Sequence, residues 1–111
     1  MTETFEQQRQ RQALRRQAIC RLVDDVRRMM DMPEATATWT RSQADLVEMV
    51  HLAWLTRQIC DPYGRPCKQQ WLARQVFRAV GRPMPRNLTK VMHDVKHRAD
   101  DSRSVLRAYY G

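Results

Sequence analysis

Glycine is scarce in this chain, where only Gly64, Gly81 and Gly111 occur among 111 residues. A glycine-rich loop that would cradle a nucleotide phosphate is therefore excluded. Continuous runs of β-branched apolar residues, which the buried strands of a parallel sheet need, are also missing. No apolar stretch approaches the ~18 residues that span a bilayer, and residues 1–12 are too polar for a signal peptide. We therefore expect a mainly α, cytoplasmic protein without a membrane partner.

Cysteines are too few for a disulfide scaffold, because Cys20, Cys60 and Cys67 form an odd set without an export signal. We expect all three to be reduced, with Cys20 on the apolar side of a helix. Cys60, Cys67, His93 and His97 could supply a tetrahedral zinc site, but the six residues between the cysteines exceed the spacing of a zinc knuckle. We prefer packed thiols and surface imidazoles, and we predict no metal and no cofactor.

Catalytic motifs are lacking as well, since the chain has no G-x-S-x-G, no H-E-x-x-H and no carboxylate pair at suggestive spacing. The remaining catalytic alternative is a Cys60 or Cys67 nucleophile that works with His93, and no neighbouring residue is an evident orienting base. We interpret His51 as a partly buried, hydrogen-bonded side chain rather than a ligand. We predict that the protein is not an enzyme and has no catalytic residues.

Acidic residues are scarce in the second half of the chain. Residues 1–55 hold eight Arg/Lys and eight Asp/Glu. Residues 56–111 hold twelve Arg/Lys and only four Asp, so the formal net charge of +8 comes from the second half. Each phosphate that a cation neutralises releases condensed counterions and strengthens binding. Seventeen of the twenty cations are arginines, whose planar fork suits phosphate and guanine. Double-stranded DNA is therefore the partner that the composition favours.

Apolar residues recur at helical spacing in several segments. A first helix over Thr4–Met30 precedes Pro33, and a second begins after the cap Ser42, which has Asp45 at capping-box spacing. The second helix should run to about Ile59 and form the centre of the core. The expected third helix spans Lys68–Val80 with Gly81 as its left-handed end, Asn87 caps a fourth, and Ser102 caps a short last one. We divide the chain into an N-terminal amphipathic helix (1–34) and a helical DNA-binding domain (35–111).

The third and fourth helices have the order of a helix-turn-helix unit, in which the second helix reads the major groove. We predict that the fourth helix presents polar residues to base edges, with cations around it as phosphate clamps. A merely solvated charged face is the alternative, but only Asp94 opposes the cations near this helix. The predicted DNA-binding set is Arg65, Lys68, Arg82, Arg86, Asn87, Thr89, Lys90, His93, Lys96, His97, Arg98 and Arg103.

The N-terminal helix leaves two alternatives open. Its apolar residues Ile19, Leu22, Val26 and Met29 fit two short heptads, so a homodimer through this helix stands beside the preferred packing against the domain. In the alternative function, the protein is a non-enzymatic interaction adaptor of mobile-element machinery. Its methionines Met29, Met30 and Met32 would then bind a partner protein, since methionine-rich surfaces adapt to different partners.

The segment Trp39–Met49, read as W-T-R-S-Q-A-D-L-V-E-M, resembles the W-T-x-S-x-x-x-L-V-E-L segment of the RteC family, regulators of excision in tetracycline-inducible conjugative transposons of Bacteroides. Val95 and Arg98, followed by Ser104-Val105-Leu106, resemble the family's I-x-x-R … T-K-F-L ending. The resemblance implies a helical, winged-helix-like DNA-binding domain with at most a minor β-wing. It further implies a bacterial transcriptional regulator that serves the excision or transfer of a mobile genetic element.

Overall fold

The computed structural model describes residues 4–98 and 102–110. Its four α-helices are α1 (Phe5–Met30), α2 (Gln43–Leu55), α3 (Gln69–Val80) and α4 (Leu88–Val95). A 3-10 turn over Lys96–Arg98 continues α4, and a second 3-10 helix covers Val105–Tyr109. Within those two described ranges, the sheet-like pairing is limited to one antiparallel bridge between Cys60 and Pro66. The mainly helical prediction is confirmed.

Side-chain caps explain where α1 begins and ends. The Thr4 hydroxyl accepts from the Gln7 N–H at 3.1 Å, and the Gln7 side chain accepts from the Thr4 N–H at 3.0 Å. This reciprocal capping box satisfies orphan donors of the first turn. At the other end, the Arg78 guanidinium donates to the carbonyls of Met30 (3.1 Å) and Met32 (3.0 Å). Arg78 therefore fastens α3 to the end of α1.

Helix α2 begins as predicted but ends four residues before Ile59, at Leu55. The Ser42 hydroxyl accepts from the Asp45 N–H at 3.1 Å, which is the expected N-cap bond. At the end of α2, the Thr56 hydroxyl donates to the Ala53 carbonyl at 2.7 Å, and Arg57 adopts a left-handed φ of 57°. A non-glycine residue in that region cannot continue a right-handed helix, so the chain turns there.

Helix α2 is the centre of the core, as expected, because α1, α3, α4 and the C-terminal 3-10 helix all pack against it. Its buried residues form one apolar cluster with those of its neighbours, led by Leu22 of α1, Phe77 of α3 and Leu106 near the C-terminus. The second half of α1 contributes to this same cluster. The described residues of the two predicted domains, 4–34 and 35–110 with the gap at 99–101, thus share one core.

The apolar residues of α1 that could have formed a homodimer interface pack instead against the rest of the same chain. Leu22, Val26 and Met29 are buried in the core, and Ile19 packs against its edge. A coiled-coil partner cannot reach side chains that α2 and α3 already cover, so the heptad hypothesis is corrected. The prediction that Cys20 lies on the apolar side of the helix is also wrong. Cys20 is exposed, because it lies about 200° around the helix from the buried residues Ala18 and Leu22.

The last 3-10 helix is capped by Ser104 instead of Ser102. The Ser104 hydroxyl accepts from the Leu106 N–H at 3.2 Å. Further along, the Tyr109 hydroxyl donates to the Asp25 carboxylate at 2.7 Å, and Arg21 donates to the Tyr109 carbonyl at 3.0 Å. Burial, followed by the Asp25 carboxylate, raises the pKa of Tyr109, which keeps its hydroxyl a donor. The C-terminal segment is therefore fastened to α1.

Candidate nucleic-acid interface

Helix α4 has one apolar face and one polar face. Met92 and Val95 are buried, and Leu88 and Val91 pack against the core. The opposite side exposes Thr89, Lys90, His93 and Asp94, and the 3-10 turn adds the exposed residues Lys96 and His97. Lys90, His93 and His97 are spaced i, i+3 and i+7, so they follow one line along this face. The imidazoles of His93 and His97 meet edge to face with centroids 5.4 Å apart.

The connection before α4 adds two exposed polar residues, Arg86 and Asn87. Asn87 occupies the N-cap position, but its side chain makes no capping hydrogen bond, and its backbone (φ −103°, ψ 44°) departs from the extended conformation of an ordinary cap. Asn87 therefore has the predicted N-cap position, but it lacks the side-chain hydrogen bond of a cap. Its amide is instead exposed at the N-terminal end of the polar face, where it is available for contacts with other molecules.

Arg82 holds two parts of the chain together. Its guanidinium donates to the carbonyls of Trp39 (2.9 Å) and Arg41 (3.3 Å) in the connector between α1 and α2. Although Arg82 is exposed, two of its donors are already directed at the protein. Its main role is therefore to attach the end of α3 to this connector. The sequence predicted Arg82 as a phosphate clamp and did not indicate this structural role.

Arg98 points inward, which corrects its predicted role as a phosphate clamp. Its side chain is 16% exposed, and one terminal nitrogen lies 2.8 Å from Asp45 Oδ1 and 2.8 Å from the Arg103 carbonyl oxygen. Its Nε lies 3.8 Å from Glu48 Oε1 and makes no hydrogen bond. The guanidinium is therefore neutralised by carboxylates of α2. Arg103, by contrast, is exposed, and its backbone carbonyl supports Arg98.

Glu48 is the buried charge at the centre of this arrangement, with 1% of its surface exposed. It accepts from the Ser104 hydroxyl and from the Val105 N–H, the latter at 2.9 Å. Burial of Asp45 works to raise its pKa, but hydrogen bonds from Arg98 and Arg41 outweigh that effect, so the pKa lies below its usual value. We call Asp45, Glu48, Arg98 and Ser104 the buried polar network; it joins α2 to both segments that follow α4.

The turn between α2 and α3 presents Tyr63 and Arg65. Two backbone bonds close it, from the Asp61 N–H to the Arg65 carbonyl (2.7 Å) and from the Cys67 N–H to the Ile59 carbonyl (3.0 Å). The Arg65 guanidinium lies 5.5 Å from the centre of the Tyr63 ring and 3.9 Å from the Asp61 carboxylate. Arg65 is thus exposed on a turn that backbone hydrogen bonds close.

His51 of α2 is hydrogen-bonded to the start of α3. Gln69 Nε2 donates to His51 Nδ1 at 2.8 Å, and the imidazole is partly buried, which confirms the interpretation from sequence. Burial, and next the positive charge of Lys96, lower the pKa of His51. Lys68, at the start of α3, is exposed at the N-cap position without a side-chain cap bond.

The structure therefore divides the predicted set. The exposed residues of α4 share one face, with the exposed Arg86 and Asn87 directly before the helix, and Arg65 and Lys68 are exposed on the segment that leads into α3. The structure removes Arg98 from the surface and commits part of Arg82 to the fold. The sequence signal that could have identified the buried polar network is Glu48, a lone acid flanked by the apolar residues of 46–50.

The cysteines and histidines do not form a metal cluster within residues 4–98 and 102–110, where no group of three or more His, Cys, Asp or Glu side chains is close enough to hold an ion. Cys60 is exposed and Cys67 is buried. Burial raises the pKa of the Cys67 thiol, which opposes its use as a thiolate nucleophile. No helix in the described ranges combines the length and apolar character that a bilayer crossing requires.

These features define a small helical domain in which α4 carries a polar face with exposed cations. Comparison with protein-family models, with curated proteins and with solved structures finds no match to this chain. The geometry of α4 and its surroundings is therefore the basis on which a function is proposed.

Proposed function

We propose that the protein is a non-catalytic, double-stranded DNA-binding domain in which α4 enters the major groove. The observation that carries the proposal is the outward face of α4, where Lys90, His93, Lys96 and His97 are exposed against a single exposed acid, Asp94. With its 3-10 extension the element covers residues 88–98, roughly 18 Å in length. A groove about 12 Å wide admits a helix of this kind.

We assign α3 and α4 to a helix-turn-helix-like arrangement, since both pack against α2 and α4 follows α3 in the chain. The connection between them, residues 81–87, is longer than the three or four residues of a tight helix-turn-helix turn. The one antiparallel bridge precedes α3, whereas the wing of a winged helix follows the reading helix. We therefore propose a variant of the helix-turn-helix unit. In the described residues it has no wing after α4.

We further propose an RteC-like regulatory role in the excision or transfer of a mobile element. The support is that Glu48, Arg98 and Ser104, which carry part of the sequence resemblance, all lie in the buried polar network. A resemblance at residues that hold α2 to the C-terminal segment indicates a common way of folding. It says less about the DNA sequence that is recognised, because that depends on α4.

The test is a titration of labelled duplex DNA, read by fluorescence anisotropy, at about 50 mM and about 200 mM salt. If Arg86, Lys90 and Lys96 each neutralise one phosphate, the binding constant should fall with a log–log slope of about −2.7, which is roughly 40-fold over this range. Arg86→Ala should weaken binding, and Arg16→Ala, an exposed arginine on the first half of α1, is the matched control. Absence of binding at the lower salt, or a response without salt dependence, contradicts the proposal.

The interaction-adaptor alternative has one observation in its favour. A cleft of about 390 Å³ between α1 and the connector is lined by Met29, Met32, Met49, Trp39 and Tyr109 among others. Methionine sulfurs and aromatic rings suit an adaptable apolar contact. A purified partner protein that binds with unchanged affinity in excess competitor DNA, and loses affinity with Met32→Asp, would favour this alternative over DNA binding.

A further inference from the structure

Tyr63 is the most exposed large apolar side chain in the described residues, at 82%. Every tryptophan of the chain packs against the core, and so does Tyr109. Leaving an aromatic ring in water gives up the free energy that burial would provide, so an exposed ring on an ordered segment is a feature that needs an explanation. One side of the ring faces the Arg65 guanidinium at 5.5 Å.

The turn that carries Tyr63 is held rigidly by Asp61. Its Oδ1 accepts from the N–H of Tyr63 at 2.9 Å and from the N–H of Arg65 at 3.1 Å. Gly64 has a left-handed φ of 79°, and its N–H donates to the Asp61 carbonyl at 3.0 Å. Because the backbone is fixed before any ligand arrives, little conformational entropy is lost when the ring and the guanidinium make contact.

The turn is also attached to α2. The carbonyl of Cys67, the residue that follows the turn, accepts from Trp54 Nε1 of α2 at 3.1 Å, and Gln69, at the start of α3, donates to His51 of α2 at 2.8 Å. Helix α4 packs against the same helix, α2. The turn with Tyr63 and Arg65 and the helix α4 are therefore both anchored on α2.

We propose that residues 60–66 form a second contact to duplex DNA, in addition to the contact of α4. In this contact Arg65 pairs with a backbone phosphate, and the outer face of the Tyr63 ring packs on the sugar and base edge beside it. The proposal rests on the proposed function and adds to it a specific second element. An arginine fork suits a phosphate, and an aromatic ring gains free energy when its apolar face is removed from water against a sugar, whatever the base sequence.

Four variants test the turn by the same duplex titration. Tyr63→Ala should reduce affinity about fivefold with an unchanged salt slope, because an apolar contact releases no counterions. Arg65→Ala should reduce affinity and lower the slope by about 0.9. Asp61→Ala should weaken binding although it removes a negative charge, because it frees the turn. Asp61→Asn retains an acceptor oxygen and should bind at least as tightly as the unaltered protein.

The controls separate the two proposals. Arg16→Ala should bind within twofold of the unaltered protein, and circular dichroism should show unchanged helix content for the Tyr63 and Arg65 variants, whose side chains lie outside the core. If the unaltered protein does not bind duplex DNA, both proposals fall. If it binds, and Tyr63→Ala and Arg65→Ala bind as Arg16→Ala does, the turn is not a contact and the proposal for α4 stands. If Asp61→Ala binds more tightly, preorganisation of the turn is refuted.

Discussion

The substitution Arg98→Met tests the buried polar network without changing a residue of the proposed DNA interface. It removes the guanidinium that lies 2.8 Å from Asp45 and 3.8 Å from Glu48. Glu48, which is 1% exposed, keeps the donors of Ser104 and Val105 but loses the neighbouring positive charge. The expected result is a buried carboxylate without a neighbouring positive charge, and hence a large loss in the free energy of unfolding.

The magnitude follows from burial. Removing one partner of a buried ion pair destabilises a protein by about 3–5 kcal/mol. The Arg98 side chain is 16% exposed, and Asp45 keeps its contact with Arg41 at 3.2 Å, so we expect the lower end, about 3 kcal/mol. For a domain of this size that corresponds to a fall in Tm of roughly 12–24 °C.

The assay is urea unfolding at pH 7, followed by circular dichroism, in a double-mutant cycle with Glu48→Gln. Because a neutral glutamine needs no cation, the loss caused by Arg98→Met should shrink to about 1 kcal/mol in that background. Arg107→Met, at an exposed arginine of the C-terminal 3-10 helix, should change stability by less than about 0.5 kcal/mol. A loss under about 1 kcal/mol for Arg98→Met, equal in both backgrounds, would refute a buried network. Folded Arg98→Met should also bind DNA as the unaltered protein does.

Three further predictions concern α4, His51 and the end of α3. Lys90→Ala should weaken binding of all duplex sequences by a similar factor, whereas Asn87→Ala should change the preference among sequences, which a competition assay with a duplex library measures. Because burial and Lys96 lower the pKa of His51 in the folded state, the unfolded chain binds the proton first as pH falls through about 6.5. The unfolding free energy should therefore decrease from pH 7.5 to pH 5.5, and His51→Gln should reduce that decrease; an identical decrease in both proteins contradicts the assignment. Gly81→Ala should lower Tm more than Gly64→Ala, because both have positive φ but a β-carbon at position 81 would lie 2.6 Å from a facing alanine β-carbon and one at position 64 meets open space. Equal melting temperatures for these two variants would show that the close approach at position 81 is relieved without cost.

The helices were predictable from sequence because their information is local. Apolar spacing, the Ser42 cap and Gly81 each act within a few residues, and α3 and α4 begin and end close to where these signals place them. The end of α2 was missed because the left-handed backbone of Arg57 is stabilised by its surroundings, with its guanidinium 4.2 Å from the Trp54 ring. Residue type alone does not indicate such a conformation.

The roles of the cations were only partly predictable. Charge counting treats every arginine alike, yet Arg78, Arg82 and Arg98 are occupied by carbonyls and carboxylates from segments more than 40 residues away in the chain. These pairings depend on how α1, α2 and α3 meet, and no periodicity encodes that. The exposed face of α4 was predictable, since amphipathic spacing alone assigns Lys90 and His93 to the side opposite Met92.

The measurement that tests the central claim most directly is a titration of ¹⁵N-labelled protein with a short duplex, followed by backbone amide chemical shifts. If α4 reads DNA, the largest changes should fall on residues 86–97, smaller ones should fall on residues 61–69, and both should disappear at high salt. Shifts that spread evenly over the molecule, or that concentrate on α1, would contradict the account, as would an unchanged spectrum.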